Sequence, residues 1–241
     1  MIGFLKRPQS GVIFFIMAFI LGQKSKSEQM FDGNGNRIVV TNIDTYPCYI
    51  VNFNENETKG QLIIRLAQGK ITKNSKPLQG QLKKAGIKTP LRFLKEMKIP
   101  ITFVEKFEKN GKKAFKFNEK EIEVGMEVKP IDFFKKDDIV SVTGVSKGKG
   151  FQGVVRRHRF SGGPRTHGQS DRERAPGSIG SSTTPGRVLK GKRMAGKMGK
   201  ETVTVKNLKI VEATDKHLLI KGLVPGAKGS LIAIYSIRGD K

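Results

Sequence analysis

The sequence predicts a mainly β fold, an antiparallel β-barrel body carrying one long, basic, irregular loop and few short helices. Three observations predict it. Short β-branched and aromatic runs with period-two alternation recur along the chain, as strands with one covered face require. Clusters of Gly, Asn, Asp and Pro punctuate those runs. Between Gly144 and Lys200 lie 14 Lys or Arg against Asp171 and Glu173, together with 13 of the chain's 28 glycines. Strand-like segments flank this window on both sides, so the economical architecture is one barrel closed by strands distant in sequence, with the window inserted as a loop.

Taken in order, FDGNGN at residues 31–36 is a turn rich in residues that tolerate the left-handed backbone, and NRIVVTNIDTYPCYIV at residues 36–51 reads as a hairpin or meander broken by Pro47. Residues 61–66 give a short strand. The polar, basic and turn-rich GKITKNSKPLQGQLKKAGIKTP then predicts a surface excursion over residues 67–100, within which residues 91–97 fit a strand or a short helix stopped by Pro100. Residues 101–129 alternate charged and apolar side chains through Phe103, Val104, Phe107, Phe115 and Phe117, which favours strands with Asn110 and Gly111 as a hairpin turn. Residues 139–145 form the strand leading into the basic window. Beyond it, ETVTVKNLKIVEATDKHLLIKG places Thr202, Thr204 and Lys206 opposite Val203 and Val205, and residues 231–237 supply a last strand. The organisation expected is an extension or upstream start at 1–17, a first part of the barrel at 18–143, the basic loop at 144–200, and strands completing the barrel at 201–241.

Charge narrows the partner. The chain carries 46 Lys and Arg against 21 Asp and Glu, a net charge of +25. A field of that strength favours nucleic acid or an anionic membrane surface over a neutral partner, because each neutralised phosphate releases counterions. Residues 163–187 contain only two apolar side chains, Ala175 and Ile179. Such a stretch cannot offset its own ordering entropy, so an external polyanion is expected to order it. The single cysteine, Cys48, excludes an intrachain disulfide and suits core packing in a reducing compartment. Lys6 and Arg7 ahead of the apolar run at 12–21 resemble a secretory leader, but ten residues are too few to span a bilayer and no small-residue cleavage site follows Gly22. A leader preceding an internal start at Met17 is the preferred reading of that end.

Two enzyme-like patterns occur in the window. Gly148, Gly150 and Gly153 in GKGFQG have dinucleotide-binding spacing, with Glu173 twenty residues on, yet the following VVRRHRFSGGPRTHG lacks the apolar face of a crossover helix. Gly186, Gly191 and Lys192 in GRVLKGKR have phosphate-loop spacing, but Arg193 stands where Ser or Thr would ligate magnesium. His158, His167 and His217 are scattered and form no metal cluster with Cys48; adjacent Asp137 and Asp138, read as strand residues, face opposite ways. No catalytic residue, cofactor or small-molecule substrate is assigned. RNA binding suits the same residues, with Arg156, Arg157, His158 and Arg159 as the densest cluster and Arg165, His167, Arg172 and Arg174 further candidates. Phe151 and Phe160 either stack on bases or anchor the base of the loop, and anchoring is preferred. A dinucleotide-dependent enzyme built on GKGFQG and a free-standing RNA chaperone are the rival functions.

The segments SVTGVSKGKGFQGVVRRHRFSGGPRTHG, APGSIGSSTTPGRVLKGKRMAGKMG and ETVTVKNLKIV closely resemble the bacterial-type large-subunit ribosomal protein L-three family. The match is dense over residues 138–234 and looser from Ala18, where AFILGQKSKSEQMFDGNG resembles the family's opening strand and turn. The resemblance implies a β-barrel body on the large subunit, a loop penetrating large-subunit rRNA toward the peptidyl transferase centre, and an early structural role in assembly beside neighbouring ribosomal proteins. On that basis Lys147, Lys149, Gln152, Arg156, Arg157 and His158 match the base of the loop. Arg187, Lys190, Lys192, Arg193 and Lys197 match its returning arm, and Ser181, Ser182, Thr183 and Thr184 its tip. The expected location is a cytoplasmic ribosome, an organellar one being the alternative, with no membrane partner. SSTT lacks the glutamine that some members methylate, so that modification is not expected. Asp171 and Glu173 stand where the family commonly has neutral or basic residues, which calls for neutralisation by Arg172 and Arg174. Residues 101–117 look longer than the usual segment, and residues 1–16 have no recognised counterpart.

Overall fold

A computed structural model describes residues 14–239 apart from 57, 59, 102, 103, 110, 111, 118 and 119. The first strand, β1 (Phe14–Phe31), opens with the apolar run that resembles a leader. Here Ala18, Phe19, Ile20 and Leu21 are all buried, because this half of the strand is covered on both faces. Phe133 stands against Phe19 with ring centroids 6.0 Å apart. At its far end β1 turns at residues 32–36 into β2 (Arg37–Asp44). The Asp32 carboxylate accepts the amides of Asn36 and Asn34, both at 3.0 Å, and these bonds hold Asp32 below the usual carboxylate range.

The barrel closes in the order β1, β14 (Leu231–Gly239), β9 (Ile139–Val145), β12 (Thr202–Ala213), β13 (His217–Lys221), β2, and back to β1. The antiparallel registers run Phe19↔Tyr235, Ile234↔Val142, Ile210↔Ile220, Ile220↔Thr41 and Ser27↔Thr41. The mainly β, barrel-bearing fold is therefore present. The hairpin or meander expected within residues 36–51 is not: after the Pro47 break the chain leaves the barrel, and β3 (Cys48–Asn56) pairs instead with β4 (Gln61–Lys70), itself paired with β5 (Leu91–Pro100). A further three-stranded sheet holds β6 (Val104–Lys109), β7 (Lys112–Phe117) and β8 (Lys120–Glu123). Lys109 pairs with Lys112, while the turn expected at Asn110 and Gly111 lies outside the described residues.

One apolar cluster unites the barrel with these sheets through Phe19, Ile43, Ile64, Phe115, Val142 and Ile234. Cys48 belongs to it, and burial pushes its thiol up to about 12. The segment after β4 holds more order than its polarity suggests. Pro77 helps start α1 (Lys76–Lys84), and the helix ends where Gly86, at φ 76°, donates to the Lys83 carbonyl and Ile87 to that of Leu82. Leu82, Ala85 and Ile87 then form a second cluster with Val51, Ala67 and Leu91. A short α2 (Pro130–Phe133) precedes β9, and Asp137 and Asp138 occupy the turn between them rather than a strand, with Asp137 at φ 69°. In β12 the alternation buries Ile210 but leaves Val203 exposed and Val205 half-buried, so the first half of that strand holds no buried side chain.

Candidate nucleic-acid interface

Between β9 and β12 the chain forms a separate unit, Val145–Thr202, in which Val154 is the one buried side chain. At its base the order comes from the backbone. Ser146 donates to the Glu201 carbonyl at 2.9 Å and accepts from Lys200 at 3.2 Å; Lys149 donates to Met198 at 2.9 Å, and Met198 to Gly150 at 3.0 Å. The ribbon continues as β10 (Phe151–Gln152) paired with β11 (Gly196–Lys197). Glycine makes the close approach feasible, since a Cβ on Gly199, at φ 74°, would collide with the Lys147 carbonyl.

The chain then makes α3 (Val154–His158), which ends with Arg159 in the left-handed region at φ 59°. Arg157 Nη1 donates to the Met194 carbonyl at 2.9 Å, and His158 Nε2 lies 2.9 Å from the same oxygen. Both side chains thereby tie the outgoing segment to the returning one. Gln152 donates to the Lys149 carbonyl, and Arg156 Nη1 reaches Gln152 Oε1 at 3.3 Å. Lys147, Lys149, Gln152, Arg156, Arg157, His158 and Lys197 are thus brought together at the base of the insertion. Lys147, Lys149, Arg157 and His158 line a cleft of about 460 Å³ with Ser146, Met198, Gly199 and Glu201.

Further out, Gly163 donates to the Glu173 carbonyl at 2.8 Å, and Gly162, at φ 75°, lies where a Cβ would strike that oxygen. The Glu173 carboxylate meets Arg165 Nε at 3.1 Å, a pairing across eight residues that no periodicity announces. Arg159, Arg165, His167, Arg172 and Arg174 are exposed along this stretch. Ser181, Ser182, Thr183 and Thr184 are also exposed and line a shallow hollow of about 590 Å³ with Gly186, Arg187 and Val188. Gly186 donates to the Ser182 carbonyl at 3.2 Å, closing that turn. Arg187, Lys190, Lys192 and Arg193 follow on an exposed arm with no helix or strand.

Neither nucleotide pattern finds its structural context. GKGFQG leads into a helix of five residues instead of a crossover helix, and Lys192 opens no helix. Among the described residues no three His, Cys, Asp or Glu gather as metal ligands, and no helix is long and apolar enough to cross a membrane. The preferred anchoring role does not hold for Phe151, whose side chain is 72% exposed; Phe160 is half-buried with its ring 6.1 Å from that of His158. Sequence reading missed the Met194 carbonyl, which receives Arg157 and His158. A backbone oxygen carries no side-chain signature.

What remains is a β-barrel protein with a cationic, coreless insertion held by backbone ribbons. Residues 44–218 match the model of the family described as Ribosomal protein L3. Three similar proteins are each named "Large ribosomal subunit protein uL3". The one from Herpetosiphon aurantiacus is 44% identical over 219 residues, covering 89% of this chain and 94% of the relative. That from Chlorobaculum tepidum is 42% identical over 224 residues, with 91% and 99% covered, and that from Chlorobium limicola 42% over 226 residues, with 92% and 100%. The chain belongs to the ribosomal protein L3 family, whose members are structural ribosomal proteins and not enzymes.

Proposed function

We infer that this protein is a structural constituent of the large ribosomal subunit that binds large-subunit rRNA through residues 145–202, beside neighbouring ribosomal proteins in a cytoplasmic ribosome. The observation that carries this reading is the insertion's balance of charge and cover: 14 Lys and Arg from Gly144 to Lys200, with Val154 alone buried within the unit. Side chains so placed neutralise phosphates without desolvating an interior, and the glycine-rich backbone can approach an irregular RNA surface closely. Lys147, Lys149, Gln152, Arg156, Arg157, His158 and Lys197 grip RNA at the base. Arg159, Arg165, His167, Arg172, Arg174, Arg187, Lys190, Lys192 and Arg193 continue the contact outward. Ser181, Ser182, Thr183 and Thr184 extend as a small, uncharged tip toward the peptidyl transferase centre, and early binding of the insertion nucleates assembly of the surrounding RNA.

The test is incorporation. A tagged chain with Arg156→Glu and Arg157→Glu, expressed beside the native protein, is expected to enter large subunits at least tenfold less often while its barrel keeps the native circular dichroism. Two reversed charges lose phosphate contacts and add repulsion, on the order of a few kcal/mol. Equal incorporation would overturn the assignment of these arginines. Cosedimentation that disappears at moderate salt would instead favour a free-standing RNA chaperone.

A further inference from the structure

The two faces of the short β10–β11 ribbon are used unequally. On one, Gln152 stands opposite Gly196, and that glycine is occupied by the Arg157 guanidinium, since a Cβ there would collide with Nη1. Arg157 continues from this face to the Met194 carbonyl, and Gln152 to the Lys149 carbonyl and Arg156. The insertion's own contacts hold the side chains of this face in place. Phe151 and Lys197 are the directly opposed pair of the ribbon, so their side chains leave it together from the other face. Both are exposed there, the ring at 72%. The flanking Gly150 and Gly153 carry no side chain to shield it, and a Cβ built on either meets nothing within 4 Å.

A single exposed apolar residue is ordinary on a protein surface. Phe151 differs in its setting. Backbone hydrogen bonds fix its ribbon from Ser146 to Met198, its strand partner is a lysine, and the unit around it is strongly cationic. We propose that Phe151 is a stacking platform for an unpaired RNA base, with Lys197 beside it neutralising the phosphate attached to that nucleotide. This deepens the RNA-binding reading above and rests on it. An aromatic ring accepts the π-face of any base, so the contact adds affinity for single-stranded or flipped-out nucleotides with little sequence preference. An aliphatic protein surface would gain from the ring but not from the adjacent ammonium, and a duplex would engage the ammonium but offer no free base face.

The chain contains no tryptophan, so Phe151→Trp introduces a unique fluorophore at the site. Full-length protein would be titrated at low salt with a fluorescein-labelled oligouridylate 12-mer, following binding by anisotropy, and with the unlabelled 12-mer, following tryptophan emission. The expected result is emission quenched in proportion to occupancy, and not quenched when inorganic polyphosphate binds. Phe151→Ser should weaken oligouridylate binding about tenfold, with Phe151→Tyr retaining it, while Lys197→Gln should flatten the salt dependence. Binding with unchanged tryptophan emission, or equal affinity of Phe151→Ser and the native chain, would overturn the stacking platform and leave the RNA-binding reading standing. Failure of the native chain to bind the 12-mer at any salt would sink that parent reading.

Discussion

At the scale of the residue, Cys48 shows how an ordinary side chain acquires an extreme property from its surroundings. Enclosed by the main apolar cluster, its thiol is held protonated up to about 12, chiefly because burial penalises the thiolate. The folded state therefore keeps a proton that the unfolded chain releases near the ordinary value of 9.0. This contribution to stability is intact below pH 9 and is lost as pH rises toward 12. A thiol reagent at pH 8 should leave Cys48 unmodified in the native protein and label it stoichiometrically in denaturant; rapid native labelling would contradict its burial. The residue's role was legible from its apolar neighbours Pro47 and Tyr49. Arg157 was only half legible: its charge marked it as a partner for phosphate, but its bond to the Met194 carbonyl spans 37 residues and gives it a second task in shaping the insertion.

At the scale of the element, strands were easiest to read where one face is covered and the other wet. Over its first four residues β2 exposes Arg37 and Val39 and buries Ile38 and Val40, so the alternation is legible there, before Thr41 and Ile43 bring the other face under cover. Pairing was harder. Pro47 was visible as a break, but whether β3 returned to β2 or joined β4 depended on long-range packing that no local pattern encodes. The α1 segment was obscured for another reason, because six lysines from Lys70 to Lys88 masked the small apolar set of Leu82, Ala85 and Ile87. In the insertion the contrast lies between a bonded base and a sparsely bonded outer arm. Hydrogen exchange on free protein should give slow amides in β13 and β14, intermediate ones at Lys149 and Met198, and full exchange within seconds at residues 187–193. Strong protection of 163–187 without RNA would contradict an insertion ordered by its partner.

At the scale of the whole molecule, the fold was legible as a class and the insertion as a charge anomaly. Barrel closure was also inferable, because strands lay on both sides of a segment that could form no core. The two extra three-stranded sheets were not, since periodicity reports that strands exist and stays silent on how they divide among sheets. The candidate site divides similarly. Its cations were countable from the sequence, whereas the ribbon that gathers Lys147, Lys149, Arg156, Arg157 and Lys197 depends on main-chain bonds between residues about fifty apart.

The barrel's seam has a consequence for biosynthesis. β14 lies between β1 and β9, so two strands made early stay without their shared neighbour until the final strand has been synthesised. The cationic insertion is translated before that last piece arrives. A nascent chain can therefore present its polyanion-seeking segment while its globular half is still open, with raw edges that invite mispairing. For this protein, early capture by nucleic acid would act as a chaperone would, keeping an unfinished cylinder apart from its copies until the closing strand emerges.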